Sequence, residues 1–249
     1  MNGALAALVF APALALGSFL NVVAARLPEH RSLNGRSECP SCRAGIAWYD
    51  NVPLVSYLVL RGRCRHCRAR ISIRYLAVEL ATALLVAACF ARFGLTGEAF
   101  VSAFFIICLV VLATIDAEHQ ILPDRIVLPA TAIVLVANLA IAPERWAEWV
   151  FAALALSGFL FAVLLAYPAG MGMGDVKLAL LLGVALGRDA AVAMAVALLV
   201  GLLVSVVLLA RHGAAARKTK VPFGVFMAIG GIVAVFAGDE LLDGYLGLF

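Results

Sequence analysis

Ile115-Asp116-Ala117-Glu118-His119-Gln120-Ile121-Leu122-Pro123-Asp124 is the stretch on which the fold turns. A charge-free run, 99–115, leads into it and another, 126–142, leaves it. Each is about as long as the ~17–25 residues a helix needs to cross a hydrocarbon core. The stretch therefore reads as the tight turn between two membrane helices, with Pro123-Asp124 opening the second. Asp116 sits just inside the apolar edge, where an ionised carboxylate is costly and marks a functional site by default.

Outward from this turn the pattern repeats. Of 249 residues, 65% are hydrophobic and 14% charged, against roughly 25% charged in a soluble domain. Mean hydropathy is +1.06. Further charge-free runs cover 3–25, 150–174, 190–210 and 221–238, and two less clean ones cover 75–90, containing Glu79, and 176–187, with Lys177 near its start. The expectation is an all-α polytopic membrane protein of about eight transmembrane helices. No Lys or Arg precedes Arg26, so the first run lacks the positive n-region of a cleavable signal peptide and reads as a membrane helix with its N-terminus outside. With that start, alternating helices put 26–74, 116–125, 168–177 and 211–220 in the cytoplasm. Only Arg92, Arg145 and Arg188 then remain outside, as the positive-inside rule requires. Omitting the short sixth helix would expel the basic cluster Arg211, Arg217, Lys218 and Lys220, which favours keeping it.

A second membrane-edge carboxylate stands in Gly172-Met173-Gly174-Asp175-Val176-Lys177, on the same cytoplasmic side as Asp116. If the two meet, they can share a proton and activate a water, the chemistry of aspartic proteases. Gly172 and Gly174 would let the backbone break and carry Asp175 close to a neighbour. Asp124 reads as a helix cap with catalytic support as a second role. Lys177 either tunes Asp175 or snorkels to the headgroups. Glu79, one turn into the second helix, serves the soluble loop or an interfacial salt bridge.

That loop, 26–74, is the one sizeable soluble stretch, with ten Arg against Glu29, Glu38 and Asp50, a formal +7. No interleaved aromatics argue for nucleic acid, and arginines facing anionic headgroups account for the charge. Cys39-Pro40-Ser41-Cys42 and Cys64-Arg65-His66-Cys67 are paired CxxC knuckles suited to a tetrahedral four-cysteine zinc site. A cytosolic loop disfavours the disulfide alternative. Cys89 and Cys108, inside apolar runs, read as small buried hydrophobes.

Taken in order, these pieces resemble the bacterial prepilin peptidases, the leader peptidases of type IV pilus and type II secretion systems. The matching motifs are Gly17-Ser18-Phe19-Leu20-Asn21, Arg26-Leu27-Pro28, the paired CxxC loop, Asn51-Val52-Pro53-Leu54 with Arg61-Gly62-Arg63-Cys64, Ile71-Ser72-Ile73-Arg74-Tyr75 with Glu79, the Asp116 run, the GxGD run 172–175 and Pro222-Phe223-Gly224. The resemblance implies a bifunctional inner-membrane enzyme. Its peptidase half cuts the short basic leader from prepilins and pseudopilins at the cytoplasmic face, with Asp116 and Asp175 as the catalytic acids. Its other half methylates the new N-terminal amine with S-adenosylmethionine. It also implies a division into a first helix (1–25), a methyltransferase-associated zinc loop (26–74) and a peptidase core (75–249). Val225 stands where the family usually carries a second proline. No glycine-rich nucleotide loop occurs in 26–74. The competing reading is an ion- or proton-coupled transporter using its membrane carboxylates as relays, although such proteins usually show repeated halves and no repeat is visible here.

Overall fold

The computed structural model describes residues 2–168, 170–213 and 221–247. Arg217, Lys218 and Lys220, used above for topology, lie outside the described residues. The chain is a polytopic all-α membrane protein. Its long helices are α1 (Asn2–Arg26), α3 (Ile73–Phe93), α4 (Gly97–His119), α5 (Asp124–Ile141), α6 (Trp146–Ala166), α7 (Met173–Leu186), α8 (Ala190–His212) and α9 (Phe223–Leu246), and α2 (Val55–Val59) is a single turn in the loop. No strand forms among the described residues; the loop holds two isolated bridges, Glu38 to Gly45 and Arg63 to Arg70.

Seven stretches are long and apolar enough to span a membrane, one of them the 40-residue Met173–His212. A straight helix of that length would measure about 60 Å, twice a ~30 Å core. The chain instead breaks at Gly187–Asp189, where Gly187 takes φ +58°, separating the 14-residue α7 from α8. The short sixth membrane helix expected from the sequence is therefore present. One boundary agrees with expectation and one differs. α6 stops at Ala166, where Tyr167 precedes Pro168 and is driven out of the helical region, next to the cytoplasmic segment expected from 168. α7 starts at Met173 instead of 176, so the GxGD motif forms its first turn instead of preceding it.

The chain divides into two compact units, Met1–Ala103 and Phe104–Phe249. In the first, α1 and α3 pack face to face. A Cβ on Gly17 would stand 2.7 Å from Glu79 Cα, so only glycine permits this approach. Buried Asn21 donates from Nδ2 to the Tyr75 carbonyl at 3.0 Å, pinning the two helices where both enter the loop.

In the second unit α4 and α7 carry the core. Phe105, Ile106, Leu109, Leu112 and Ile115 of α4, with Leu178, Leu181 and Leu182 of α7, are fully buried. α9 closes on them through Gly231, whose Cβ would meet Leu182 and Leu109 at 2.7 and 2.8 Å. Gly183 lies against Ala153 of α6 and Gly230 against Ala193 of α8, the small-residue contacts by which membrane helices approach. Asn138 of α5 donates to the Val184 carbonyl at 2.8 Å, tying α5 to α7. Leu198, Leu199, Leu202, Leu203 and Val206 of α8 face outward, as a lipid-bathed surface allows.

Candidate functional sites

The membrane carboxylates lie where helix ends converge within the second unit. Asp116 closes the last turns of α4 and is 5% exposed. α9 begins beside it: Pro222, which has no amide proton to satisfy, caps the helix, and the Val225 N–H donates to Asp116 Oδ2 at 3.2 Å. A Cβ on Gly224 would stand 2.8 Å from that oxygen and 3.2 Å from Leu122 Cδ1. Leu122 also packs on the other motif, since a Cβ on Gly174 would meet Leu122 Cβ at 2.9 Å.

Asp175 is the third residue of α7, and its Oδ2 accepts from the N–H of Gly172, the N-cap, at 3.2 Å. Gly172 is extended at φ −97°, so the glycines serve close approach and an unhindered helix start, not a left-handed turn. Asp175 is half-buried and within Coulombic reach of Asp116. Both carboxylates thus accept from free amides at helix N-termini, where unpaired N–H groups and the helix dipole favour negative charge.

Asp124 and Lys177 pair with each other. Lys177 Nζ lies 2.7 Å from both Asp124 oxygens, bridging the first turns of α5 and α7. The expected capping role of Asp124 is not observed: the N-cap of α5 is Pro123, no side chain caps the helix, and the carboxylate goes to Lys177. Lys177 thus meets Asp124, and no direct bond joins it to Asp175 among the described residues.

The four loop cysteines form a second site, within the first unit. All four sulfurs lie within 4.8 Å of one another, and Cys39 and Cys67 are 3.8 Å apart. Four thiolates at a Zn–S distance of ~2.3 Å occupy a tetrahedron with edges of about 3.8 Å, so the spacing suits a metal ion such as zinc. The two knuckles are built alike, 25 residues apart. Cys39 N–H donates to Ala44 and Arg43 N–H to Cys39; Cys64 N–H donates to Ala69 and Arg68 N–H to Cys64. Ile46 and Ile71 close the turns on Ser37 and Gly62. Arg43 and Arg68 both adopt positive φ, 58° and 60°.

The thiol chemistry matches a cation site. Amides of Cys42 and Ser41 hold the Cys39 thiol down at about 6, and those of Cys67 and His66 lower Cys64. The Ala69 amide favours the Cys67 thiolate, but partial desolvation and the neighbouring sulfurs outweigh it and push the thiol up to about 11. Crowded sulfurs with amides aimed at them are poised for a positive ion between them.

Glu79 is 9% exposed and accepts from the Leu54 N–H at 2.9 Å, so it holds the loop rather than forming a salt bridge. Leu54 has φ +62°, a strained value for leucine. Asp50 takes both Arg65 nitrogens at 2.6 and 2.7 Å, and that guanidinium holds its carboxyl below the usual range. Cys89 and Cys108 are buried thiols in α3 and α4.

Sequence reasoning missed Leu122 and Val225 as neighbours of the carboxylates, gave Gly224 no part in the site, and did not see that the cysteine knuckles repeat. The available signals were the Pro222-Phe223-Gly224 motif, a helix start by its proline, and the parallel Cys42-Arg43-Ala44-Gly45-Ile46 and Cys67-Arg68-Ala69-Arg70-Ile71.

Comparison with known proteins is consistent across the chain. Residues 12–93 match the bacterial peptidase A24 N-terminal domain and residues 103–210 the type IV leader peptidase family. A prepilin leader peptidase/N-methyltransferase of Pseudomonas aeruginosa is 37% identical, over 94% of this chain and 90% of its own. One of Bacillus subtilis is 34% identical, over 96% and 97%, and one of Legionella pneumophila 33%, over 94% and 92%. No solved structure matches.

Proposed function

The chain belongs to the type IV leader peptidase family, and on that premise we propose that it is a membrane-embedded aspartic endopeptidase. It removes the leader of prepilins or pseudopilins and N-methylates the new N-terminus. Asp116 and Asp175 are the catalytic pair. The observation that carries this is their convergence, from the end of α4 and the start of α7, each with one oxygen tied to a helix-start amide.

Two carboxylates in one site hold a proton between them and titrate as a unit. The ionised member takes a proton from water, and the resulting hydroxide attacks the scissile carbonyl. The protonated member polarises that carbonyl and then gives its proton to the departing amine. Amides of Val225 and Gly172 fix the Oδ2 of each carboxylate, and the other oxygen is the one that meets water and substrate. Gly172 and Gly174 keep side chains out of the approach to Asp175, and the Asp124–Lys177 pair fixes α5 against α7 beneath it. The site faces the cytoplasm of the inner membrane on the Arg distribution, with the N-terminus outside.

Zinc would be held by Cys39, Cys42, Cys64 and Cys67, and with four protein ligands it would supply folding energy to the loop rather than chemistry. Glu79 positions that loop through Leu54. Methyl transfer draws on S-adenosylmethionine. The groove beside the second knuckle is lined by four arginines and would meet a donor that is itself a net cation, a poor match.

The test is cleavage. A prepilin is co-expressed with wild type, Asp116→Asn or Asp175→Asn at equal membrane levels, and leader loss is followed by gel shift. Wild type cuts and each variant fails. Normal cutting by either variant removes that residue from the pair, and a wild type that leaves several prepilins intact returns the transporter reading.

A further inference from the structure

Beside the four-cysteine site the loop leaves an apolar face uncovered. α2 presents Val55, Leu58 and Val59 on one side, at 54%, 62% and 69% exposure. Trp48 is 82% exposed with Tyr49 edge-on beside it, and Ile73, the first residue of α3, is 70% exposed. Such a patch in a soluble setting marks a docking surface.

Arginines frame it. Arg65, held by Asp50, lies over the Tyr49 ring at 5.6 Å. Arg65 also lines a groove of about 640 Å³, together with Val59, Leu60, Cys64 and three further arginines, Arg61, Arg63 and Arg68. Apolar side chains and guanidiniums thus meet along one surface. The loop is also tethered at both ends to membrane helices, α1 ending at Arg26 and α3 starting at Ile73, so this surface cannot travel far from the headgroup layer.

We propose that this face is a docking surface for the anionic phospholipid bilayer. Trp48, Val55, Leu58 and Val59 enter the boundary between headgroups and acyl chains, and the groove arginines take lipid phosphates. Charge selects this occupant. The loop carries ten Arg against three acidic residues, which suits anionic lipid and repels the basic leader expected of a prepilin. With the arginines on phosphates, that repulsion is removed from the path of the substrate. The inference rests on the membrane reading of α1 and α3, not on the proposed peptidase chemistry.

The test uses full-length protein in nanodiscs with acyl-brominated lipids, whose bromines quench buried tryptophan. The emission of Trp48 is taken as the difference between wild type and Trp48→Phe. Bromolipid quenching is expected to be about twofold stronger with anionic than with zwitterionic lipid, converging when salt near ~1 M screens the arginines. Leu58→Glu/Val59→Glu is expected to abolish the difference while bound zinc is kept. If that variant loses zinc, the lipid and salt comparison on wild type decides alone. Trp48 emission indifferent to bromolipid, or equally quenched in both lipids, overturns the proposal. So does quenching that changes only when a prepilin is added, which assigns the face to substrate.

Discussion

Replacing Gly224 with alanine tests whether the start of α9 positions Asp116. The added Cβ would stand 2.8 Å from Asp116 Oδ2, 3.1 Å from its Cγ and 3.2 Å from Leu122 Cδ1, where ordinary contacts begin at 3.4 Å. Relief requires a retreat of about 0.6 Å, which would stretch the 3.2 Å bond from Val225 toward about 3.8 Å, outside hydrogen-bond range. A hydrogen bond to a charged group contributes ~1.5–3 kcal/mol, or about ten- to a hundredfold in rate if the loss falls on the transition state. Misplacing a catalytic group by ~1 Å costs up to about 10²-fold, so the two routes agree. Alanine is also the better helix former by ~1 kcal/mol, so the fold should not weaken from propensity. The expected outcome is kcat/KM for prepilin cleavage down about ten- to a hundredfold, with unchanged thermal unfolding. Gly158→Ala, where a Cβ meets nothing within 4 Å, is the control and should cut normally. Cleavage by Gly224→Ala within about twofold of wild type would refute the positioning of Asp116 by α9.

Other outcomes follow from the same contacts. In a double-mutant cycle of Asp124→Asn and Lys177→Met, read by thermal unfolding, the coupling should stay at about 0.2–1 kcal/mol because the Asp124 side chain is 54% exposed. A coupling well above that would mean the pair is buried in the native membrane protein. Glu79→Ala should speed hydrogen exchange at the Leu54 amide by about ten- to a hundredfold, while Glu79→Gln, which keeps an acceptor, should restore most of the protection. An unchanged rate in Glu79→Ala would remove the latch. Stripping zinc with a chelator, or Cys39→Ser, should speed tryptic cleavage at the arginines of 26–74 while leaving the rate of cleavage in the second unit unchanged, in keeping with the separation into two units. A loop equally resistant without metal would show that zinc is not what folds it.

The helices were legible because a bilayer demands long charge-free runs, and each such run became one. Their ends were less legible by the same criterion. The run from Val150 to Gly174 has no charge, so charge alone does not mark the end of α6 at Ala166, which the Tyr167-Pro168 step sets. The carboxylates Asp116 and Asp175 were legible from their cost at a membrane edge. Their surroundings were not: the donor to Asp116 is a backbone amide 109 residues away, and an amide leaves no mark on residue type. Asp124 and Lys177 were each noticed, yet their pairing across 53 residues was not, because only folding brings the starts of α5 and α7 together.

The two motifs around the carboxylates are the same device. Gly172-Met173-Gly174-Asp175 and Pro222-Phe223-Gly224-Val225 both begin a helix, and both aim first-turn or cap amides at an aspartate. In α7 the aspartate belongs to the helix that receives it; in α9 it comes from the end of α4. In each motif one glycine sits second in the helix and takes the side of Leu122, so a single leucine spaces both turns. Helix-start amides stay unpaired whatever the sequence, so a carboxylate there gains hydrogen bonds without a cation beside it. A cation paired to either carboxylate would hold it permanently ionised and oppose proton sharing. Among the described residues, Lys177 is instead neutralised by Asp124. On the proposed chemistry, that pairing keeps the positive charge off Asp175 and leaves the proton to the two aspartates. Asp124→Asn should therefore release Lys177 toward Asp175 and shift the acidic limb of the cleavage pH profile to lower pH, since an added cation favours the ionised form. A profile that stays in place, or moves to higher pH, would show that Lys177 does not govern the pair.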